Sequence, residues 1–531
     1  MTLSLKKNVI AEPAVAGWYA WSYLLPPQTL AKYLKNHYRN IVESFLDKPE
    51  AHRTALKQAR FQGGPFVHEQ EGSYEKVKEW YASSREQFAP LLDLADSIDE
   101  LEQKILPELS GASMEPAYRG LPEPLAGRVE LFYNRDNRTP DYRFIEPLLY
   151  ASPYFDPGLQ QVRFSTIDQD ARQFALTTPV LEYTPEQVLV TVPLDSPLLD
   201  EVFAGGLDPK DLERITAEFG LDGERAATFR SFFEETPEPT ADTQDAPDAI
   251  EYVGHACVFV RNRGTTFLVD PVISYSGYSQ ESDGRFTFDD LPERIDYVMI
   301  THNHQDHMLL ETLLKIRHRV GRVVIAKSAN SSLVDPDLKR ILGRLGFHDV
   351  VELDDLESLA TPGGSITALP FLGEHGDVRI RTKCGWLLDL DGTRVLFAAD
   401  STNISPQLYA QITASVGRVD TVFIGMESVG APVSWLYGPL FPEKLERRID
   451  AGRRLKGSNF EQGAAIVDTL QADAVYVYAM GQEPWLGAVM CVEYDEKHPA
   501  MIDSDKLVAY VKERGGTSKR LYLHETIEVR P

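Results

Sequence analysis

The chain of 531 residues carries 80 acidic against 54 basic side chains, a formal net charge of −26, with 43% hydrophobic residues and only 3 cysteines. That length and apolar content suit two to four domains with real cores and exclude a disordered acidic tail, while the acidity argues against nucleic-acid binding, which needs a basic surface. Cys257, Cys384 and Cys491 lie far apart with no CxxC pair, which excludes a disulfide framework or thiolate zinc ribbon and suits buried thiols in a reducing cytoplasm.

Near the N-terminus, the apolar stretch Ala14 to Leu25 follows Glu12-Pro13 and stops at Pro26-Pro27. It is too short to span a bilayer and has no cleavage-site pattern, so the chain reads as soluble and unprocessed, with no membrane partner. Thr29 to Phe45 and Tyr74 to Leu94 space their apolar residues by three and four with charges between, as amphipathic helices do. Between Arg128 and Val192 short β-rich runs take over, among them VELFY and VLVTVPL. Residues 1–233 are therefore expected to form a mixed α+β domain. With no ligand-spaced histidines and no glycine-rich phosphate loop, it is expected to serve structure, dimerisation or partner binding.

The Pro/Thr/Asp-rich stretch from Glu234 to Asp248 has no apolar period and reads as a linker. In residues 249–531, short apolar strands alternate with turns and helices: Ile250-Arg261, Thr266-Asp270, Tyr297-Thr301, Val323-Ala326, Val395-Ala399, Thr421-Met426 and Ala474-Tyr478. Buried strands separated by helical segments predict two sheets sandwiched between helices.

The sharpest chemical signal follows the strand ending at Ile300: Thr301-His302-Asn303-His304-Gln305-Asp306-His307, three of the chain's 12 histidines with an aspartate in one turn. A strand-to-turn transition points His302 and His304 one way and carries Asp306 and His307 round to a second point, which suits two metal ions. Asp400 ends the apolar strand before Ser401-Thr402, where an unpaired carboxylate would be costly without a cation. A further ligand is expected from Phe371-Leu372-Gly373-Glu374-His375-Gly376-Asp377. If a strand continues that far, Glu374 and His375 face opposite ways and only one can bind. His375 would favour zinc and hydrolysis, whereas Glu374 would give a hard, oxygen-rich shell suited to iron.

The HxHxDH pattern resembles the metallo-β-lactamase superfamily, and Gly254-His255-Ala256 followed by Phe267-Leu268-Val269-Asp270-Pro271 looks like that fold's opening hairpin. The resemblance implies an αββα sandwich in 249–531, with Asp270 supporting the metal loop through hydrogen bonds and Asp400 bridging the metals. His255 is expected to be a supporting or core histidine. After His375 only His498 and His524 remain, outside any familiar motif, so the late histidine of many zinc members is missing.

Together with GEHGD, AADST, the large N-terminal domain and the total length, these features resemble the CmlA-type dinuclear-iron β-hydroxylases of chloramphenicol biosynthesis. The motifs cover about Tyr252 to Ser428. The resemblance implies His302, His304, Asp306, His307, Glu374 and Asp400 as ligands of an oxo-bridged pair of iron ions. It also puts Glu427, at the end of an apolar strand, near the cluster; as a residue it could equally cap a loop. The implied reaction is O₂-dependent monooxygenation at the β-carbon of an aryl amino acid, L-p-aminophenylalanine, held as a thioester on a peptidyl-carrier domain of a nonribosomal peptide synthetase. Neither a GxGxxG run nor a flavin motif is present, so an external reductase or ferredoxin must supply electrons. A homodimer is expected.

The basic run from Glu446-Arg447-Arg448 to Arg453-Arg454-Leu455-Lys456 stands out in an acidic chain as a docking patch for an acidic carrier, or else a solvated helix face. Trp435 to Phe441, with Trp485, could line an aryl pocket or be core. Two other classes stay open. One is a dizinc hydrolase of the same fold that cleaves a lactone, phosphodiester or thioester. The other is a non-catalytic carrier-protein partner with structural metals, which such an open carboxylate-rich set disfavours.

Overall fold

A computed structural model describes residues 2–58, 61–68, 72–236, 247–282, 284–328, 331–492 and 494–527. Two seven-stranded sheets face each other in the C-terminal part. The first runs from Val350–Leu353 through Val320–Ala326, Ile295–Ile300, Thr265–Val269, Cys257–Asn262 and Ala249–Gly254 to Glu525–Ile527. The second runs from Ser358–Thr361 through Gly364–Leu369, Gly385–Leu390, Thr393–Phe397, Thr421–Gly425 and Ala474–Tyr478 to Thr517–Arg520.

The facing surfaces share one apolar layer, in which Val258, Phe267 and Met299 of one sheet meet Trp386, Phe397 and Phe423 of the other. Burying such side chains is worth about 1.5–3 kcal/mol each. Pro406–Val416, Phe460–Leu470 and Pro499–Glu513 supply the helical layer on the second sheet, through Ile412, Ile466 and Leu507 against Leu396, Val422 and Val475. The αββα arrangement expected from the sequence is the observed one. Ile250-Arg261, expected as one strand, is a hairpin that turns at His255, where φ is +52°.

The N-terminal part is mixed α+β, with a four-stranded sheet in the order Trp18–Tyr19, Val9–Val15, Gln160–Thr166, Val188–Thr191 and the long helix Ser73–Glu100. The apolar stretch near Ala14 is accounted for by burial, since every residue of Val9–Val15 is buried, as strands covered on both faces are. No helix among the described residues is long and apolar enough to cross a membrane.

The N-terminal part also covers the outer face of the first sheet, and one apolar core runs from Val15, Leu24 and Leu34 to Phe259, Leu268 and Val298. Buried ions tie the two together: Arg172 lies 2.8 Å from Glu311 and 3.0 Å from Glu12, and Tyr19 donates to Glu311 at 2.8 Å. The start of the expected linker is corrected here, because Glu234 and Glu235 belong to the strand Phe233–Glu235, paired antiparallel with Leu3–Leu5. Most of that stretch, 237–246, lies outside the described residues.

Candidate metal centre

The strand Ile295–Ile300 ends where the two sheets open, and the loop that follows is pinned by Asp270. The Thr301 backbone N–H donates to Asp270 Oδ1 and its hydroxyl to Oδ2, each at 2.7 Å. Asp270 is fully buried, and its Oδ2 lies 2.8 Å from His307 Nδ1. A carboxylate there takes the Nδ1 proton and leaves Nε2 free on the opposite edge of the ring. That atom lies 3.2 Å from Asp400 Oδ2 and 3.8 Å from Asp306 Oδ2.

The other histidines follow the same logic. The Thr301 hydroxyl gives its proton to Asp270, so it accepts from His302 Nδ1 at 3.0 Å, and His302 Nε2 is left buried without a hydrogen-bond partner among the described residues, 3.9 Å from Glu374 Oε1. His304 spends Nε2 on the Tyr437 hydroxyl at 2.8 Å and turns Nδ1 to Glu374 Oε1 at 2.6 Å. Three groups of metal-binding type result, His302–His304–Glu374, His302–His307–Asp400 and His255–Asp306–His307, each with its ligand atoms within 4.8 Å of one another.

His255 has a different part. The Gly481 N–H donates to its Nδ1 at 3.1 Å, so the proton sits on Nε2 and faces Asp306 Oδ2 at 3.2 Å. It is a donor to a carboxylate and has no lone pair to offer. Burial pushes the Asp306 carboxyl up, but His307 and His255 outweigh burial and hold it well below the usual carboxylate range. Burial likewise pushes His307 down, while Asp400, Asp306 and Asp270 outweigh it and hold the ring well above its ordinary value.

The Glu374 segment departs from the strand expectation. The strand Gly364–Leu369 stops short of it, and Gly373 and Glu374 take φ of +82° and +66°. A Cβ on Gly373 would come 2.4 Å from Thr402 Cβ, so only glycine fits this turn. The kink brings Glu374 and His375 to the same side, with His375 Nε2 2.7 Å from Glu374 Oε2.

Buried, unpartnered polar atoms test the fit of a metal pair. Among the described residues His302 Nε2 and Asp400 Oδ1 have no hydrogen-bond partner, which is costly unless a cation takes them, while Glu374 Oε2 and His375 Nε2 face each other at 2.7 Å. Three imidazoles and three carboxylates without a thiolate suit iron. The residues present therefore fit two iron ions, with Asp400 between the His302–His304–Glu374 side and the Asp306–His307 side.

The site opens into a cavity of about 760 Å³ whose wall includes Gln305, Glu427, Trp435, Lys456, Tyr494 and His498. Glu427 accepts from the Gly430 N–H and, at 3.4 Å, from the Tyr494 hydroxyl, and burial pushes its carboxyl up to about 7. Trp485 is outside this wall; it packs with Tyr19, Val272 and Leu486, under the Arg285 guanidinium. His524 is also elsewhere, beside Glu251. Sequence reasoning missed Tyr437 as a partner of the histidines, and no local signal marks it. It also missed Gln62 and Gly63, N-terminal residues that line the cavity.

The basic run is divided. Arg453 donates to Gly376 O at 2.7 Å and Arg454 to Val429 O at 3.0 Å, so both are internal braces, whereas Arg447 and Arg448 are exposed.

Comparison with known proteins gives two family matches: a diiron non-heme β-hydroxylase N-terminal domain over residues 4–237 and a β-lactamase superfamily domain over residues 265–434. The chain is 58% identical, over all of both chains, to the 4-amino-L-phenylalanyl-[CmlP-peptidyl-carrier-protein] 3-hydroxylase of Streptomyces venezuelae. The crystal structure of CmlA, a diiron β-hydroxylase from Streptomyces venezuelae, superposes with a TM-score of 0.96 at 59% identity over all of both chains. A point mutant of CmlA superposes with a TM-score of 0.94 at 58% identity, over 99% of this chain and 100% of that one.

Proposed function

Because the chain belongs to the CmlA-type diiron β-hydroxylases, hydroxylating enzymes with an iron pair in a metallo-β-lactamase fold, we propose that it oxidises the β-carbon of a 4-amino-L-phenylalanyl group tethered to a peptidyl-carrier protein. The observation that carries the site assignment is the pair of groups His302–His304–Glu374 and His302–His307–Asp400, each with its ligand atoms within 4.8 Å of one another, around the unpartnered His302 Nε2 and Asp400 Oδ1. In this reading His302, His304 and Glu374 would hold one iron, Asp306 and His307 the other, and Asp400 would serve both. Asp270 orients His307.

Overall, R–H + O₂ + 2 e⁻ + 2 H⁺ gives R–OH + H₂O, so each turnover draws two electrons from an external reductase or ferredoxin. Bound there, the irons supply O₂ activation and the oxidising power for the C–H bond. The chain's residues do the rest. Glu427, with a carboxyl pushed up to about 7, is protonated in part of the molecules at neutral pH and can pass that proton from beside Tyr494 toward the cavity. Trp435, Leu436 and Val492 give the cavity an apolar wall for an aryl ring.

The carrier is proposed to dock where Lys444, Arg447 and Arg448 are exposed beside the helix Val433–Tyr437, of which Trp435 lines the cavity. We also infer division of the chain near residues 234–248, a homodimer through the N-terminal part, and a cytoplasmic setting, supported by the buried thiols of Cys257 and Cys384. The test is carrier loaded with 4-amino-L-phenylalanine, chemically reduced enzyme and ¹⁸O₂, with the tethered product read by mass spectrometry. The expected result is one ¹⁸O at the β-carbon. Thioester cleavage without ¹⁸O in the amino acid would favour the hydrolase reading.

A further inference from the structure

Tyr437 is fully buried at the end of the helix Val433–Tyr437, with its hydroxyl 2.8 Å from His304 Nε2 and 2.9 Å from His375 Nδ1. On the far side of both rings stands Glu374, with Oε1 2.6 Å from His304 Nδ1 and Oε2 2.7 Å from His375 Nε2. The four side chains close a ring: Glu374, His304, Tyr437, His375. Among the described residues Glu374 Oε2 and His375 Nε2 have no other hydrogen-bond partner, so each faces the other alone.

A phenol has one proton to give, and a neutral imidazole carries one on either nitrogen. If His304 offers an unprotonated Nδ1 to a metal, its proton sits on Nε2 and goes to the Tyr437 oxygen. Tyr437 then has its own proton to give, and His375 Nδ1 lies 2.9 Å away to accept it. His375 is left with its N–H on Nε2, directed at Glu374.

We propose that Tyr437 and His375 are positioning residues that fix the His304 tautomer and keep His375 as a donor to Glu374, so that the carboxylate, and not the imidazole, takes the iron. This rests on the reading that His304 and Glu374 hold iron. The N-terminal part steadies the device: Tyr33 donates to Leu436 O, Asn36 to Pro439 O at 2.7 Å, and the Tyr23 ring packs edge-on to Tyr437 at 6.1 Å between centroids.

Tyr437→Phe removes a single oxygen from a packed site, and its folding is checked by the melting temperature of the iron-free protein. Iron titration should give a dissociation constant raised roughly 10–100-fold, with a shifted near-UV band in the oxidised protein and an unchanged KM for the loaded carrier. His375→Phe should do the same, and His375→Gln, which keeps an N–H donor, should restore most of the affinity. Wild-type affinity and band in Tyr437→Phe would overturn the proposal, even if His375→Phe fails to fold. Glu374→Ala separates this from the reading beneath it. Retention of both irons there would sink the ligand assignment and the proposal together, whereas loss of one iron there with a wild-type Tyr437→Phe would sink the proposal alone.

Discussion

At the scale of single residues, what each ring does is decided by what holds its other nitrogen. Asp270 and Thr301 free the Nε2 atoms of His307 and His302, while the Gly481 N–H makes a donor of His255. Glu427 stands on the cavity wall with its carboxyl pushed up to about 7, the basis of its proposed role as a proton donor. Glu427→Gln, which keeps shape but cannot release a proton, should lower kcat on the order of 100-fold while two irons still bind; equal turnover in the variant would remove the group from the mechanism. The residues gathered at the site were legible in the sequence because His302 to His307 are neighbours in one turn and Asp400 ends an apolar strand. Tyr437 was not, since it is 133 residues from His304 and 62 from His375, and only the fold brings them together.

At the scale of elements, the turn at Gly373 decides the donor set. The two-residue period of a strand separates Glu374 from His375, but the chain leaves strand geometry after Leu369 and positive φ at Gly373 and Glu374 undoes that separation. Gly373→Ala would combine a left-handed φ with a Cβ 2.4 Å from Thr402. The loop must shift, and one iron per chain should be lost with a lower melting temperature; two tightly held irons would show that the turn tolerates a side chain. The basic segment shows how a charge run is sorted by tertiary structure, since Arg453 and Arg454 spend their guanidinium groups on carbonyls near the site. Reversing Lys444, Arg447 and Arg448 should raise the apparent KM for loaded carrier and weaken its salt dependence. An unchanged KM would move docking elsewhere.

At the scale of the whole molecule, the N-terminal part helps build the site. Ser22 donates to Asn303 O at 2.7 Å within the ligand loop, and Trp435 donates to Gly63 O at 3.0 Å beside the cavity. The two-sheet architecture was legible because its strands are short apolar runs between turns. The contribution of the N-terminal part was not, because packing against a distant sheet leaves no motif. Glu146 reports on this junction: fully buried, it accepts from the Asp337 N–H at 3.0 Å, and burial pushes its carboxyl up from 4.5 to about 7. The folded state therefore holds this proton more tightly than the unfolded chain. Its stabilising effect is complete below the unfolded value and is lost as pH rises through about 7. Between pH 5 and 8 Glu146→Gln should flatten this loss, roughly 2–3 kcal/mol at most, in melting curves; superimposable pH profiles would contradict the assignment.

Whether the pocket of three imidazoles and three carboxylates holds two irons for oxygenation is read most directly by metal analysis of protein from iron-supplemented cells together with its near-UV spectrum. Two iron ions per chain and an absorbing oxidised protein are expected. A colourless protein with two zinc ions per chain, active without O₂ or reductant, would contradict that expectation.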